Sequence, residues 1–149
     1  MDELRDLYQE VILDHNRKPR NRRALDDATH RAHGHNPLCG DQLVVQLRCA
    51  EGKVLEAAFE GDGCAISTAS ASLMTESVRG KGEAEVRALH EQFHRLVTTG
   101  EADLDQLGKL AALAGVAEYP ARVKCASLAW HTLLAALDRK VDQAVSTEV

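Results

Sequence analysis

The spacing of the apolar residues changes twice along this 149-residue chain, and the order of these changes limits the folds it can adopt. Residues 2–18 place apolar side chains three to four positions apart, which predicts a helix. Residues 43–60 alternate apolar and polar side chains on either side of a Glu51-Gly52 turn, which predicts two antiparallel strands. The helical spacing returns at residue 65. Strands early and helices late predict an α+β fold, a small antiparallel sheet covered by helices.

Other signals along the chain place the remaining elements. Residues 29–35 are a candidate third strand, and glycine or proline marks the ends of the later helices. The predicted later helices are 65–79, 83–97, a shorter one that begins at 104 and ends near 115, and a last one that opens at Pro120 and ends at Arg139-Lys140. We expect a single domain over residues 1–140 and a frayed tail over 141–149.

Composition excludes several classes of protein. The 18 Lys+Arg against 23 Asp+Glu give a net charge of −5, without the clustered basic face that nucleic-acid binding requires. No stretch approaches the roughly 20 apolar residues that cross a bilayer, so no membrane partner is predicted. Residues 1–5 are acidic where a signal peptide is basic and then apolar, so we expect a cytoplasmic protein.

The four cysteines are candidates for metal binding or nucleophilic chemistry. In a reducing compartment, and in a chain long enough to fold without disulfides, these roles and core filling are favoured over disulfide bonds. The sequence contains no C-x-x-C pair, so zinc ribbons and thioredoxin-type redox sites have no support. Cys49 shares its parity with the apolar residues of the first predicted strand, which indicates a core position.

The other three cysteines lie where thiolates are favoured. Cys39 is two residues from Asp41 in predicted extended backbone, so both side chains project to one side. Cys64 opens a predicted helix, whose positive end lowers the pKa of a thiol. Cys125 stands near Arg122 and Lys124, whose charges also favour a thiolate. Three thiolates and a carboxylate suit tetrahedral Zn²⁺, or iron with bridging sulfide. Each cysteine can instead be a small buried hydrophobe.

A competing metal motif occupies the predicted helix 83–97. His90-Glu91-Gln92-Phe93-His94 satisfies H-E-x-x-H, which in a metallopeptidase holds zinc between two imidazoles with the glutamate as general base. The apolar stripe of the helix centres near Phe93, which puts His90 at its edge and turns Glu91 toward solvent. No third ligand follows at a convincing spacing. The metallopeptidase is therefore a remote alternative, and boundary histidines are the favoured interpretation.

Four ordered motifs resemble the SufU branch of the IscU/NifU N-terminal family. They span nearly the whole chain, from about Leu4 to Leu137. The motifs are residues 8–15 with 19–21 (YQEVILDH and PRN), 36–41 (NPLCGD), 61–67 with 69–70 (GDGCAIS and AS), and 124–130 (KCASLAW).

The resemblance implies an α+β fold with a three-stranded antiparallel sheet and five to six helices, and a role in iron–sulfur cluster biogenesis. Carried over by position, it implies that Cys39, Asp41, Cys64 and Cys125 are metal ligands and that Cys39 accepts sulfur. It implies as partners a cysteine desulfurase of the SufS type, which carries pyridoxal phosphate, and a downstream iron–sulfur assembly scaffold. Arg122 matches a position associated with desulfurase engagement, and we expect the neighbouring Lys124 to help orient that partner.

The family contains two functions, and three departures from the scaffold pattern bear on the choice. Lys124 stands where scaffolds carry a histidine. Tyr119–Val123 stands where scaffolds have a chaperone-docking Leu-Pro-Pro-Val-Lys stretch. The segment between Cys64 and Cys125 is longer than in scaffolds, as it is in the SufU branch. These departures favour a zinc-dependent sulfurtransferase, which would be an enzyme acting with the desulfurase. A scaffold that builds a [2Fe–2S] cluster is the alternative.

Overall fold

The computed structural model describes residues 2–37, 40–138 and 144–146, and the side chains of residues 8–37 and 40–138. Its elements follow the predicted order of one helix, a set of strands and then a series of helices. They are α1 (Asp2–Arg17), β1 (His30–Asn36), β2 (Asp41–Ala50), β3 (Lys53–Asp62), α2 (Ala65–Val78), α3 (Glu83–Thr99), α4 (Leu104–Leu107), a 3-10 helix (Gly108–Glu118), α5 (Pro120–Asp138) and β4 (Ala144–Ser146).

The sheet has the strand order β3-β2-β1-β4, and its first three strands are antiparallel. Val45 of β2 pairs with Ala32 of β1 on one side and with Phe59 of β3 on the other, which fixes the register. The α+β class with three antiparallel strands is therefore confirmed. The fourth strand, β4, pairs in parallel with β1 and falls in the segment 141–149 that the sequence assigned to a frayed tail. The rest of that segment lies outside the described residues.

Helices cover the sheet and close one hydrophobic core. Alternate residues of β2, among them Leu43 and Leu47, are buried beneath α5, while α2 packs on β3. The aromatic residues are few but central, because Trp130 of α5 stacks on Phe93 of α3 with ring centroids 4.9 Å apart and both are buried. This stacked pair joins α3 to α5. None of the described helices combines the length and the apolar character needed to cross a membrane.

The helix predicted to run from residue 104 to near 115 is divided in two. Leu104–Leu107 forms one α-helical turn, and Gly108–Glu118 continues as a 3-10 helix. Gly108 has φ 56° and ψ −127°, a conformation outside the helical region that glycine adopts readily. The spacing of the leucines indicates a buried face correctly, but it does not reveal the break in the backbone.

A buried polar cluster attaches α1 and the segment after it to α2. The hydroxyl of Ser72 lies 2.7 Å from Nδ1 of the fully buried His15 and accepts the backbone N–H of Arg20 at 2.8 Å. The side chain of Asn21 donates to Thr75 at 3.1 Å. These bonds fix the path of the chain between α1 and β1.

Candidate metal centre

Three of the four predicted ligands converge at one point. One carboxylate oxygen of Asp41 and the sulfur atoms of Cys64 and Cys125 all lie within 4.8 Å of one another. The residues come from three different elements: the start of β2, the residue before α2 and the second turn of α5. The fold thus assembles a set of donors that are far apart in the sequence.

Asp41 is the most constrained member of the set. It is the first residue of β2, opposite Asn36 of β1, and is only 1% exposed. Its Oδ1 accepts the backbone N–H of Cys64 at 2.9 Å, whereas Oδ2 is buried and has no hydrogen-bond partner in the described part of the chain. A buried carboxylate oxygen without a partner is costly, so a bound cation would stabilise it.

Cys64 is the N-cap of α2. Its backbone is extended, with φ −68° and ψ 172°, and its Sγ accepts the N–H of Ser67 at 3.4 Å. This hydrogen bond caps the first turn of α2 and fixes the position of the sulfur beside Asp41. The preceding Gly63 leaves room for the site, because a Cβ there would lie 3.1 Å from Oδ1 of Asp41.

Cys125 belongs to α5 and is completely buried. Its thiol lies 3.7 Å from the carbonyl oxygen of Ala121, one turn earlier in α5, and the side-chain amide of the buried Asn36 donates toward its sulfur at 4.0 Å. The sequence did not single out Asn36 as part of the site. Asn36 and Asp41 stand in the same sequence motif, residues 36–41, and they pair opposite each other in the sheet. Membership of that motif is the sequence signal that could have identified Asn36.

The fourth predicted ligand, Cys39, lies outside the described residues, as does Leu38. The residues on either side of this pair are described. Gly40 donates its backbone N–H to the carbonyl oxygen of Asn36 at 2.9 Å, and Asp41 follows directly as the first residue of β2.

The chemistry of the three donors fits a borderline-soft metal ion. Two cysteine sulfurs with one carboxylate oxygen suit Zn²⁺, which takes four ligands in protein sites where all positions are supplied by the chain. The same sulfur-rich set also suits iron bound with sulfide. The unpartnered Oδ2 of Asp41 and the close approach of the three donors both agree with a bound cation.

The predicted partner-binding residues flank the centre on α5. Arg122 is exposed and Lys124 is half-buried, and both precede Cys125 in the first turns of the helix. The basic segment 17–23, by contrast, is partly paired with acids. Arg20 contacts Asp14 at 2.6 Å and Arg23 contacts Glu56 at 2.9 Å. Arg17 and Lys18 of the same segment are exposed, so positive charge is available there as well as on α5.

The remaining cysteine lies apart from this centre. Cys49 is half-buried at the far end of β2, about 26 Å from Asp41 at 3.3 Å per residue. The pairing of β2 with β3 shifts in register between Arg48 and Cys49. The alternation of apolar and polar residues that predicts a core position for Cys49 is interrupted at this shift. Cys49 nevertheless packs against the edge of the core, and burial raises the pKa of its thiol.

The H-E-x-x-H segment lies on α3, with Phe93 buried, His90 half-buried, and Glu91 and His94 exposed. This matches the arrangement predicted from the helical stripe. The carboxylate of Glu91 faces solvent, which is unlike the enclosed general base of a metallopeptidase.

Comparison with known proteins places these features in one family. The family model described as "NifU-like N terminal domain" matches residues 7–126, which include Asp41, Cys64 and Cys125.

Individual relatives match over most of the chain. The chain is 38% identical over 143 residues to a protein of Streptococcus pyogenes serotype M1 named iron-sulfur cluster assembly scaffold protein IscU, covering 95% of this chain and 89% of that protein. It is 40% identical over 128 residues to the zinc-dependent sulfurtransferase SufU of Bacillus subtilis, covering 85% and 86%. Among solved structures, a SUF-system iron-sulfur cluster assembly scaffold protein from Fervidobacterium islandicum AW-1 aligns with a TM-score of 0.82 at 33% identity, covering 86% of this chain and 94% of that one.

Proposed function

We propose that this chain, which belongs to the NifU-like N-terminal domain family, acts in iron–sulfur cluster assembly as a zinc-dependent sulfurtransferase that takes sulfur from a cysteine desulfurase. The observation that carries the proposal is the convergence of Asp41, Cys64 and Cys125 within 4.8 Å. The chain is 40% identical to the sulfurtransferase of Bacillus subtilis and 38% identical to the scaffold protein of Streptococcus pyogenes, so the choice between the two functions rests on the departures from the scaffold pattern.

Zn²⁺ would be held by Asp41, Cys64 and Cys125 together with Cys39. Consecutive Cα atoms are about 3.8 Å apart, so the Cα of Cys39 cannot be more than about 7.6 Å from that of Asp41. This distance is within reach of a shared ion. Bound zinc would keep the cysteine sulfurs deprotonated and protect them from oxidation.

Cys39 is the proposed sulfur acceptor. Its thiolate attacks the outer sulfur of the desulfurase cysteine persulfide, a new S–S bond forms at Cys39, and the S–S bond in the desulfurase breaks. The leaving group is the desulfurase thiolate, and Cys39 becomes a persulfide without net oxidation or reduction of the pair of proteins. A downstream iron–sulfur assembly scaffold would receive the sulfur.

The partner surface is the start of α5. Arg122 is exposed there and Lys124 lies two residues further along, next to the buried Cys125. We propose that these two cations orient a desulfurase of the SufS type, which carries pyridoxal phosphate. Lys124 also stands where the scaffold pattern has a histidine, which favours sulfur transfer over cluster building.

Two measurements test this function. Metal analysis of the protein as isolated should give about one zinc per chain. A desulfurase assay should show that the unmodified protein stimulates sulfide release, that Cys39→Ala abolishes the stimulation, and that the matched variant Cys49→Ala retains it. Full stimulation by Cys39→Ala would remove the acceptor role.

A [2Fe–2S] scaffold is the second candidate, because the relative from Streptococcus pyogenes bears the scaffold name at 38% identity. Anaerobic reconstitution with iron and sulfide distinguishes the two functions. A scaffold should be isolated without zinc and should form a stable cluster that transfers to an apoprotein. The proposed sulfurtransferase should retain zinc and form no transferable cluster.

A further inference from the structure

The fold supplies a third histidine beside the H-E-x-x-H segment. His90 and His94 lie one turn apart on α3, and His131 of α5 packs next to them. The ring centroid of His90 is 5.9 Å from that of His131 and 6.1 Å from that of His94. No sequence spacing connects His131 to the motif, because the contact depends on how α5 packs on α3.

From this cluster we propose a second metal site, in which His90, His94 and His131 bind a divalent transition-metal ion such as Ni²⁺, Cu²⁺ or Zn²⁺. The site is separate from the candidate metal centre at Asp41, and it does not depend on the proposed sulfur transfer.

The separations of His90 from His94 and from His131 are slightly larger than those of imidazoles around one ion. With metal–nitrogen distances of about 2.0–2.1 Å and tetrahedral angles, ring centroids lie roughly 5 Å apart. The observed separations of 5.9 and 6.1 Å exceed this by about one ångström, which small side-chain rotations on two helix surfaces can close. His94 is exposed and free to make such a rotation.

The ring nitrogens are available as ligands. In the part of the chain that the structure describes, none of the three imidazoles makes a hydrogen bond or an ion pair, although His90 and His131 are half-buried. Among the described residues, no protein group therefore competes with an ion for these nitrogens. Imidazole nitrogen is also the preferred donor for these ions.

The nearby charges allow a cation to bind. Arg87 lies one turn before His90, but its guanidinium contacts Asp138 at 2.7 Å and Glu83 at 3.6 Å. These acids offset its positive charge. Glu91 is exposed beside the cluster, which leaves the site without an enclosed general base, so we assign binding to it rather than peptide hydrolysis.

The protein carries its own reporter for this site. Trp130 is the sole tryptophan, and its ring centroid is 6.2 Å from that of His90. A paramagnetic ion bound by the three histidines should quench the fluorescence of Trp130. The same ion would tie α3 to α5 and raise the unfolding temperature.

The test is a Ni²⁺ titration of the full chain, preloaded with one equivalent of zinc, followed by Trp130 fluorescence. We expect saturable quenching with about one Ni²⁺ per chain. His94→Gln and His131→Gln should each weaken binding by at least about tenfold, since even outer-shell changes at metal sites cost that much. His30→Gln, which replaces a histidine outside the cluster, should titrate like the unmodified protein.

Two results would overturn the site. One is a titration of His94→Gln and His131→Gln that matches the unmodified protein. The other is quenching that survives in both histidine variants but disappears in Cys64→Ser, which would assign the ion to the candidate metal centre. Because His94 is exposed, its variant should fold normally, and circular dichroism checks this directly.

Discussion

The backbone N–H of Cys64 donates a 2.9 Å hydrogen bond to Oδ1 of Asp41, and this bond joins the start of β2 to the start of α2. The other oxygen, Oδ2, is buried without a partner in the described part of the chain. The two oxygens of Asp41 therefore have different surroundings. Oδ1 orders the backbone around the site, and Oδ2 is the oxygen that we propose binds a cation.

Replacement of Asp41 by asparagine should weaken zinc binding with little change in fold. The amide keeps an oxygen that can accept the Cys64 N–H, but it loses the charge that an ion requires. We expect the zinc affinity, measured by competition with a chromophoric chelator, to fall by about 10- to 100-fold. Asp62→Asn is the matched control, because it makes the same change in a side chain that is fully exposed and contacts Arg22 at 3.8 Å. Equal losses in the two variants would contradict the assignment of Asp41.

Gly63→Ala should disturb the same site through volume alone. The added Cβ would lie 2.9 Å from Oγ of Ser67 and 3.1 Å from Oδ1 of Asp41, so one of these groups must move. We expect a measurable loss of zinc affinity in the same competition assay. Gly115→Ala is the control, since a Cβ there meets nothing within 4 Å. A Gly63→Ala variant with unchanged affinity would show that the site tolerates the shift.

Ser72→Ala should destabilise the attachment of α1. The hydroxyl is bonded both to the buried His15 and to the backbone N–H of Arg20, so its removal leaves two polar groups without this partner. We expect the free energy of unfolding in urea to fall by about 1–3 kcal/mol. Ser77→Ala removes only a bond to the carbonyl of Leu73 one turn earlier, and it should change stability much less. Similar losses for the two serines would rule out a special role for Ser72.

Stability should fall between pH 6.5 and 4 in protein stripped of metal. Burial, and then the nearby His131, His94 and Arg87, lower the pKa of His90 from 6.5 to about 4. The unfolded chain therefore takes up a proton in this range that the folded chain does not, so the free energy of unfolding decreases as the pH falls. The contribution of His90 is on the order of 2 kcal/mol after allowance for its partial exposure.

Urea unfolding at several pH values checks this prediction. Burial also lowers the pKa values of His15 and His131, so some dependence on pH should persist in His90→Gln, with a smaller slope. Bonds to Arg48 and Arg23 lower the pKa of Glu56 from 4.5, so its contribution is lost only below that pH. An unchanged slope between pH 6.5 and 4.5 in His90→Gln would contradict the assignment.

The sequence predicts the elements well because local spacing determines them. The alternation on either side of Glu51-Gly52 identifies the hairpin of β2 and β3, and glycine or proline marks most helix ends. Two features cannot be predicted from local spacing. The 3-10 segment after Gly108 keeps its leucines on a buried face, so its pattern resembles that of an α-helix. The short strand β4 consists of three residues and pairs with β1, a partner more than a hundred residues earlier.

The site shows the same division between local and distant information. A helix start directly after Cys64 and extended backbone at Asp41 can be predicted from nearby residues. The spacing of Cys125 does not show that it meets them. Its ligand chemistry and the resemblance of motifs both predict the set, and the packing of α5 on the sheet brings the donors together. The position of His131 is even less predictable from the sequence, because no motif contains this residue. Only the packing of α5 on α3 places it beside His90.

The contact between Asn36 and the sulfur of Cys125 spans 89 positions of the chain. An ion held at this point would act as a reversible crosslink across most of the sequence, and crosslinks that close long loops restrict the unfolded chain most in the chain-entropy account. Zinc would then leave only with a loosening of the contact between the sheet and its last helix. A bound metal would therefore raise the free energy of unfolding of the whole domain.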